Sequence, residues 1–464
     1  MAKYYLAIDL GASSGRHILG TLENGKMKLQ EIYRFSNGAK KINGKRCWDI
    51  EQIFNYVVNG IKECSKLGVI PESVAIDTWG LDYVLLDKND KMLGQAVNYR
   101  DQRTKDIYEE IFKYISKEEL YKETGLQMAE FNTICQLMAV KRDEPEILEK
   151  AKSLLMIPDY LNFLLTGIKK QEYSNGTTTQ LMNAKDRHWN MNVISKLSLP
   201  TELFGELSMP GGSVGRFLPH IEEMVGFNTN VVLVPTHDTA SALMAKATEL
   251  PNTMCISSGT WSLVGMETEE STCTKESLEH DFTNEGGYDG IIDYLKNNMG
   301  LWMIQQVRLE NDETLSFAKM CEMAEKENIE SLVDANDSRF LGPDSMTEEI
   351  KQYCRETNQQ VPQTIAELSK VVYASIAHSY NKILKELEQI KNTKIERINI
   401  VGGGSQADYL NRLTAEITQK QVIAGPFEAT AIGNIMCQMI TDKTIKDLDE
   451  GRMVVRESFD VKVY

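Results

Sequence analysis

The apolar residues of this chain fall into short runs punctuated by small residues, with stretches of helical spacing between them. Tyr4 to Ile8 is an apolar run that breaks at Asp9, passes through Leu10-Gly11-Ala12-Ser13-Ser14-Gly15-Arg16 and resumes at His17 to Leu19. Met254-Cys255-Ile256, Ser257-Ser258-Gly259-Thr260 and Trp261-Ser262-Leu263-Val264 repeat that arrangement in the second half. Two β-runs joined by a few Gly and Ser residues predict a hairpin. Ser73 to Asp77 and Tyr83 to Asp87 predict strands on either side of a turn at Gly80, while Val231 to Val234 and Arg397 to Val401 read as strands buried on both faces. Elsewhere the spacing is helical: Ile365, Leu368, Val372, Ile376, Ile383, Leu387 and Ile390 follow a Thr364-x-x-Glu367 capping box. Strands alternating with helices predict an α/β fold. The repeated hairpin predicts two similar domains, 1–246 and 247–464, with the junction within 245–252.

Composition narrows the chemistry. A chain of 464 residues can bury a large core without disulfide or metal staples. It carries 51 Lys+Arg against 67 Asp+Glu, a net charge of −16. That balance excludes a general nucleic-acid binder and a protein that docks on anionic lipid. It leaves nucleotide binding open, because phosphates are held by local amides and metal ions rather than by net charge. The eight Cys include no CxxC pair and the six His include no HExxH, so zinc and dithiol chemistry are not indicated. No apolar run approaches the roughly 18 residues of a membrane span, and the first run is too short for a signal peptide. The expectation is a cytoplasmic protein with reduced thiols, monomeric or homodimeric.

Four motifs carry candidate chemistry. In Asp9 to Arg16, Gly at both ends permits a tight turn, Ser hydroxyls and successive N–H groups suit phosphate oxygens, and Asp9 at a strand end suits Mg²⁺. An ordinary Asx-type hairpin turn accounts for the same residues. Gly402-x-Gly404-x-x-Ala407 follows a strand and opens a helix, as a dinucleotide loop does. The next strand, Gln421 to Ala424, ends in Gly425-Pro426 without the acidic residue that NAD binding requires. A loop touching some part of a nucleotide, or close helix–strand packing, is the better reading. His237-Asp238 lies just past a buried strand, where Asp238 can accept a proton from a substrate hydroxyl or cap the following helix. Ile76-Asp77-Thr78-Trp79-Gly80-Leu81-Asp82 sets polar groups beside an indole, as sugar sites do and as routine packing does. Gly211-x-Ser213-x-Gly215 lacks the strand-to-helix context of a nucleophile elbow and is rejected.

Together these residues resemble the FGGY carbohydrate kinases of the actin-like ATPase superfamily. The resemblance rests on seven blocks in order: Leu10 to Arg16, Ile76 to Asp82, Tyr99-Arg100-Asp101-Gln102-Arg103-Thr104, His237 to Ala242, Ser257 to Ser262, Lys296-Asn297-Asn298-Met299-Gly300-Leu301-Trp302 and Val401 to Gly404. They span nearly the whole chain. The resemblance implies two ribonuclease-H-like domains with a catalytic cleft between them. It implies transfer of the ATP γ-phosphate, with Mg²⁺, to the 1-hydroxyl of L-rhamnulose, with L-fuculose as the alternative acceptor. By position, it implies Asp238 as catalytic base. Ala12, Ser13, Ser14, Gly15, Arg16, Thr260, Gln305 and Gly403 would contact ATP. Gly80, His237, Asp238, Thr239 and Asn297 would contact the sugar, and Asp9 would anchor the metal. Leu81 and Tyr83 stand where the family often has Val and Phe, and Thr236 where Ser is common.

Overall fold

The computed structural model describes residues 2–248 and 251–464. Glu249 and Leu250, inside the expected junction, lie outside the described residues. The chain divides into two compact units, the first comprising Met1–Ala245, Thr268–Tyr294 and Thr430–Ser458, the second Lys246–Glu267, Leu295–Ala429 and Phe459–Tyr464. The division expected after 246 lies beside the first crossing between them. The units are nonetheless interleaved in sequence, because two later segments complete the first one.

The first unit is built on β1 (Tyr4–Leu10), β2 (Ser14–Glu23), β3 (Lys26–Ser36), helix α1 (Ile50–Lys66), β4 (Ser73–Thr78), β5 (Gly212–Arg216), β6 (Asn230–Leu233) and helix α2 (Asp238–Met244). Its sheet runs in the order β5-β6-β4-β1-β2-β3. β1, β2 and β3 form an antiparallel meander, while β4 is parallel to both β1 and β6. Side chains alternate between two covered faces, which explains why β1 and β4 are buried almost throughout. Leu6, Ile8, Leu10, Val74 and Ile76 face one side, in a cluster with Ile53, Val57 and Ile61 of α1.

The opposite side meets the helix Ala429–Thr441, which explains why that distant segment belongs here. Asn434 and Gln438, one turn apart, present a polar stripe. Asn434 Nδ2 donates to Asp77 at 2.6 Å, Gln438 Nε2 donates to the Leu6 carbonyl at 3.1 Å, and Ser73 Oγ donates to Gln438 at 2.6 Å. Just beyond the helix, Asp442 accepts from the Tyr5 hydroxyl at 2.6 Å. Gly20 on this face is replaceable only at a cost, since an added Cβ would come within 2.7 Å of Ile435. The segment Thr268–Tyr294 joins the same unit through the Tyr121 hydroxyl, which donates to the Phe282 carbonyl at 2.7 Å.

The second unit repeats the plan with β7 (Thr253–Ser258), β8 (Trp261–Thr268), β9 (Ile292–Met299, whose last five residues belong here), helix α3 (Ile365–Lys391), β10 (Arg397–Val401), β11 (Gln421–Ala424) and β12 (Lys462–Val463). The order β9-β8-β7-β10-β11-β12 matches that of the first sheet, and the strand Thr283–Gly286 adds a seventh beside β9; β7 is antiparallel to β8 and parallel to β10, and β11 is antiparallel to the edge strand β12. Both predicted hairpins are therefore present, and each leads a sheet of the same plan. α3 begins with the predicted capping box between Thr364 and Glu367, and Leu368, Val372, Ile376, Ile383 and Leu387 are buried along it. Among the described residues no helix is long and apolar enough to cross a membrane.

His17 on β2 is a buried polar group of the first core. It is fully buried against α1, where a Cβ at Gly60 would collide with its ring. Nε2 lies 3.0 Å from the Val57 carbonyl, Nδ1 has no partner, and burial pushes the imidazole pKa down to about 4. An unfolded histidine titrates near pH 6.5. Between those values the unfolded chain binds more protons, so acid removes on the order of 3 kcal/mol of stability from this group. In urea unfolding, His17→Leu is expected to be less stable than wild type at pH 7.5, with the gap narrowing at pH 4.5. A gap independent of pH would refute the assignment.

Candidate active site

In the first unit, three carboxylates gather at the ends of neighbouring parallel strands. β1 and β4 pair in register with Asp9 opposite Asp77, and Asp238 follows β6 as the first residue of α2. Ligand sites of open α/β sheets form at such carboxyl ends. Arg16, opposite Asp9 in the β1–β2 hairpin, donates to Asp9 Oδ2 from Nε at 2.9 Å and Nη2 at 2.8 Å. Asp77 is fully buried and its Oδ1 has no hydrogen-bond partner. Burial and the charge of Asp9 hold its carboxyl well above the usual range, and the Asn434 amide opposes them only in part. Burial of the Asp238 carboxyl, reinforced by Asp9, pushes its pKa up to about 7, although a third of the side chain still reaches solvent. Asp238 does not cap its helix. His237 occupies the cap position and no side chain closes it, while the Asp238 carboxyl accepts from the neighbouring Thr239 hydroxyl at 3.4 Å.

Near this cluster, Glu172 ties two segments together. It accepts from Ser174 N at 2.7 Å, Asn175 N at 3.0 Å and the Ser174 hydroxyl at 2.6 Å. It also accepts from Thr236 N at 3.1 Å and the Thr236 hydroxyl at 2.7 Å. His237 N then donates to Ser174 Oγ at 3.2 Å, so the His237-Asp238 corner is clamped. The turn at Gly80 is equally constrained. A Cβ there would stand 2.8 Å from Thr178, and Leu81 adopts φ +78 with its N–H on Thr178 Oγ1 at 3.0 Å. A positive φ at a branched residue is costly and is held by its surroundings. Buried Asp82 accepts from Trp48 Nε1 at 2.6 Å, Trp79 Nε1 at 3.0 Å, Gln136 Nε2 at 3.0 Å and Tyr99 N at 3.2 Å. It thereby fixes two indoles inclined at 34°, with centroids 4.1 Å apart.

In the second unit, three backbone segments approach one another where side chains are missing. Gly259 O accepts from Leu301 N at 2.9 Å and Thr260 O from Trp302 N at 3.2 Å. A Cβ at Gly300 would stand 2.6 Å from the Trp261 carbonyl carbon. Gly402, at φ +80, turns the chain off β10 so that Gly404 lies directly on Ser258, whose buried Oγ has no partner. Gln305 follows one turn into the helix Trp302–Asn311, with its N–H on the Leu301 carbonyl at 2.9 Å.

The residues expected in the site thus fall on both units. Asp9, Ala12 to Arg16, Gly80, His237, Asp238 and Thr239 are on the first; Thr260, Asn297, Gln305 and Gly403 are on the second. Within the second unit, Thr260, Gln305 and Gly403 all belong to the segments around Ser258, while Asn297 is half-buried on β9. Gly15 has a packing reason of its own, because Phe35 fills the space a side chain would need. Sequence reading gave no role to Asp77, Glu172, Glu285 or Asn434. Asp77 had a signal, being a strand-end Asp like Asp9. The other three have none within their own segments.

Comparison with known proteins gives the family. The N-terminal domain of the FGGY family of carbohydrate kinases matches residues 4–245 and its C-terminal domain residues 254–441. Rhamnulokinase of Oceanobacillus iheyensis is 47% identical over 464 residues, covering 100% of this chain and 98% of its own. The Bacillus subtilis rhamnulokinase is 41% identical over 465 residues, covering 99% and 95%. Among solved structures, gluconate kinase from Lactobacillus acidophilus shares the fold at TM-score 0.80 and 17% identity, covering 100% of this chain and 94% of that one. Plasmodium falciparum glycerol kinase with ADP does so at TM-score 0.78 and 14% identity, covering 99% and 94%.

Neighbouring glycines of the β10 loop should respond differently to the same change. A Cβ at Gly404 would collide with the Ser258 side chain, whereas at Gly403 it meets only the Ser258 carbonyl at 3.7 Å. Gly404→Ala is expected to cost about 1–3 kcal/mol through overpacking. Gly403→Ala should stay within about 0.5 kcal/mol of wild type, as a substitution without such a clash does. Chemical denaturation of the two variants measures the difference.

Proposed function

The chain belongs to the FGGY family of carbohydrate kinases, and from that premise we propose that it transfers the γ-phosphate of ATP to the 1-hydroxyl of L-rhamnulose, giving L-rhamnulose 1-phosphate and ADP. One observation carries the choice of sugar: curated relatives matching the whole chain at 36–47% identity are rhamnulokinases. In this reading Gly80, His237, Asp238, Thr239 and Asn297 hold the sugar. Ala12 to Arg16, Thr260, Gln305 and Gly403 hold ATP, with turn amides facing the phosphates.

Phosphoryl transfer needs positioning and charge stabilisation more than covalent chemistry. Asp238 accepts the proton of the 1-hydroxyl as that oxygen bonds to the γ-phosphorus and the bond to the bridging oxygen of ADP breaks. A carboxylate of pKa about 7 suits this step, being ionised near neutral pH yet more basic than an ordinary aspartate. Among the described residues no group of three or more His, Cys, Asp or Glu forms a ready metal cage. That fits Mg²⁺, which takes one or two carboxylates and completes its shell with phosphate oxygens and water. Asp9 would hold it, and bound Mg²⁺ supplies neutralisation of the phosphate charge. All eight cysteines are free, which supports a reducing, cytoplasmic setting.

A coupled ADP-release assay over L-rhamnulose, L-fuculose and L-xylulose tests the substrate, with L-rhamnulose expected to give the highest kcat/KM. Equal rates on all three would sink the specificity. Asp238→Asn should lower kcat by about 10²–10⁴-fold with ATP affinity nearly unchanged. Because the base must be ionised, kcat/KM for the sugar should fall about tenfold per pH unit below pH ~7 and level off above it. A profile flat down to pH 5 would remove Asp238 from the role.

A further inference from the structure

Glu285 is a buried carboxylate beside the transfer site. It lies on the strand Thr283–Gly286, in the segment Thr268–Tyr294 that returns to the first unit. Its Oε2 lies 3.3 Å from His237 Nδ1, and both side chains are about nine-tenths buried. Neither atom makes a hydrogen bond in the structure, so each is a buried polar atom whose nearest opposite group is the other. On the far side of the ring, Nε2 lies 3.6 Å from Asp238 Oδ1. The strand is held in place by its neighbours. Gly286 N donates to Thr177 Oγ1 at 2.9 Å, and the Tyr173 ring fills the space beside Gly286 where a side chain would stand.

A buried carboxylate is retained only where something compensates its desolvation. The imidazole N–H is the group placed to do so here. Burial keeps His237 neutral, so its ring carries a single proton. A carboxylate at Nδ1 draws that proton to Nδ1 and leaves Nε2 as an acceptor, as outer partners of functional histidines do. The other ionisable groups around the ring are Asp238, with Asp9 behind it, on the Nε2 side, and Glu172, through Ser174.

We propose that Glu285 is a positioning residue of the phosphoryl-transfer site, which accepts the Nδ1 proton of His237 and holds the ring with its bare Nε2 toward Asp238 and the sugar hydroxyl. This rests on the reading of His237 as a sugar contact. The ring accepts a hydrogen bond from the bound ketose and aligns it for Asp238; Glu285 itself touches no substrate.

The tautomer can be read without substrate. In the full chain labelled with ¹⁵N-histidine at pH 7.5, the signals lost in His237→Asn identify His237. They are expected to show the proton on Nδ1, and to shift toward the Nε2–H form in Glu285→Gln. An Nε2–H form in the wild type would overturn the proposal. In kinetics, Glu285→Gln should lower kcat/KM for L-rhamnulose by about 10–100-fold with KM for ATP within twofold. Adding it to His237→Asn should cost less than a further twofold, because the two act as a unit. Full multiplication of the two losses, or an undiminished kcat/KM in a Glu285→Gln chain of wild-type melting temperature, would also overturn it. Failure of the wild type to phosphorylate L-rhamnulose would count against the substrate reading instead, and would leave the tautomer result standing.

Discussion

The first unit is organised around one electrostatic constraint: carboxylates brought together at the ends of adjacent parallel strands. The register of β1 and β4 sets Asp9 opposite Asp77, and the turn after β6 adds Asp238. Like charges so close cannot all be ionised cheaply in a low dielectric. The structure resolves this by giving each carboxyl a different environment. Asp9 takes the Arg16 guanidinium, Asp77 is sealed away with one amide donor and its carboxyl is driven toward the neutral form, and Asp238 is left between these extremes. Separating the acidities of neighbouring carboxyls is how one site obtains groups with different roles.

That constraint accounts for the interleaving of the two units. Burying Asp77 requires a donor on the far side of the sheet, and the local hairpins have none to offer. The helix Ala429–Thr441 brings Asn434 there, and Gln438 one turn on binds both Asn434 and Ser73. The close approach is made possible by small residues, since a side chain at Gly433 would strike the Ser241 carbonyl and one at Gly20 would strike Ile435. The segment that carries Glu285 is bound to the first unit in the same manner, by hydrogen bonds reaching far along the chain.

What the sequence made legible follows from this. Strands, hairpins and the α3 capping box are encoded by neighbours within a few residues, and they stand where the pattern puts them. Asp9 and Asp238 could be singled out because each sits at the end of an apolar run. Asn434 and Glu285 could not, because each gains its meaning from a partner roughly fifty to several hundred residues away, with no local pattern to mark it. The glycine loop after β10 left two alternatives, ligand approach or close packing. The structure shows close packing at one residue of the two: Gly404 is required by Ser258, while Gly403 has room for a side chain.

The acidic balance of the chain, −16, takes on a different meaning at this site. Crowded carboxylates would seem ill suited to a reaction of a polyanion. Yet burial makes Asp238 basic, and the nearby charge of Asp9 adds to it, raising its pKa to about 7. A lone exposed aspartate would be ionised at neutral pH but too weak a base to draw a proton from a sugar hydroxyl effectively. In the proposed reading, the strand-end carboxylates serve proton abstraction and metal binding, while the glycine turns of both units serve phosphate binding. If Asp238 is the base, as proposed, the acid excess is no obstacle to the chemistry, because the part of it at the site adds to burial in setting the strength of that base.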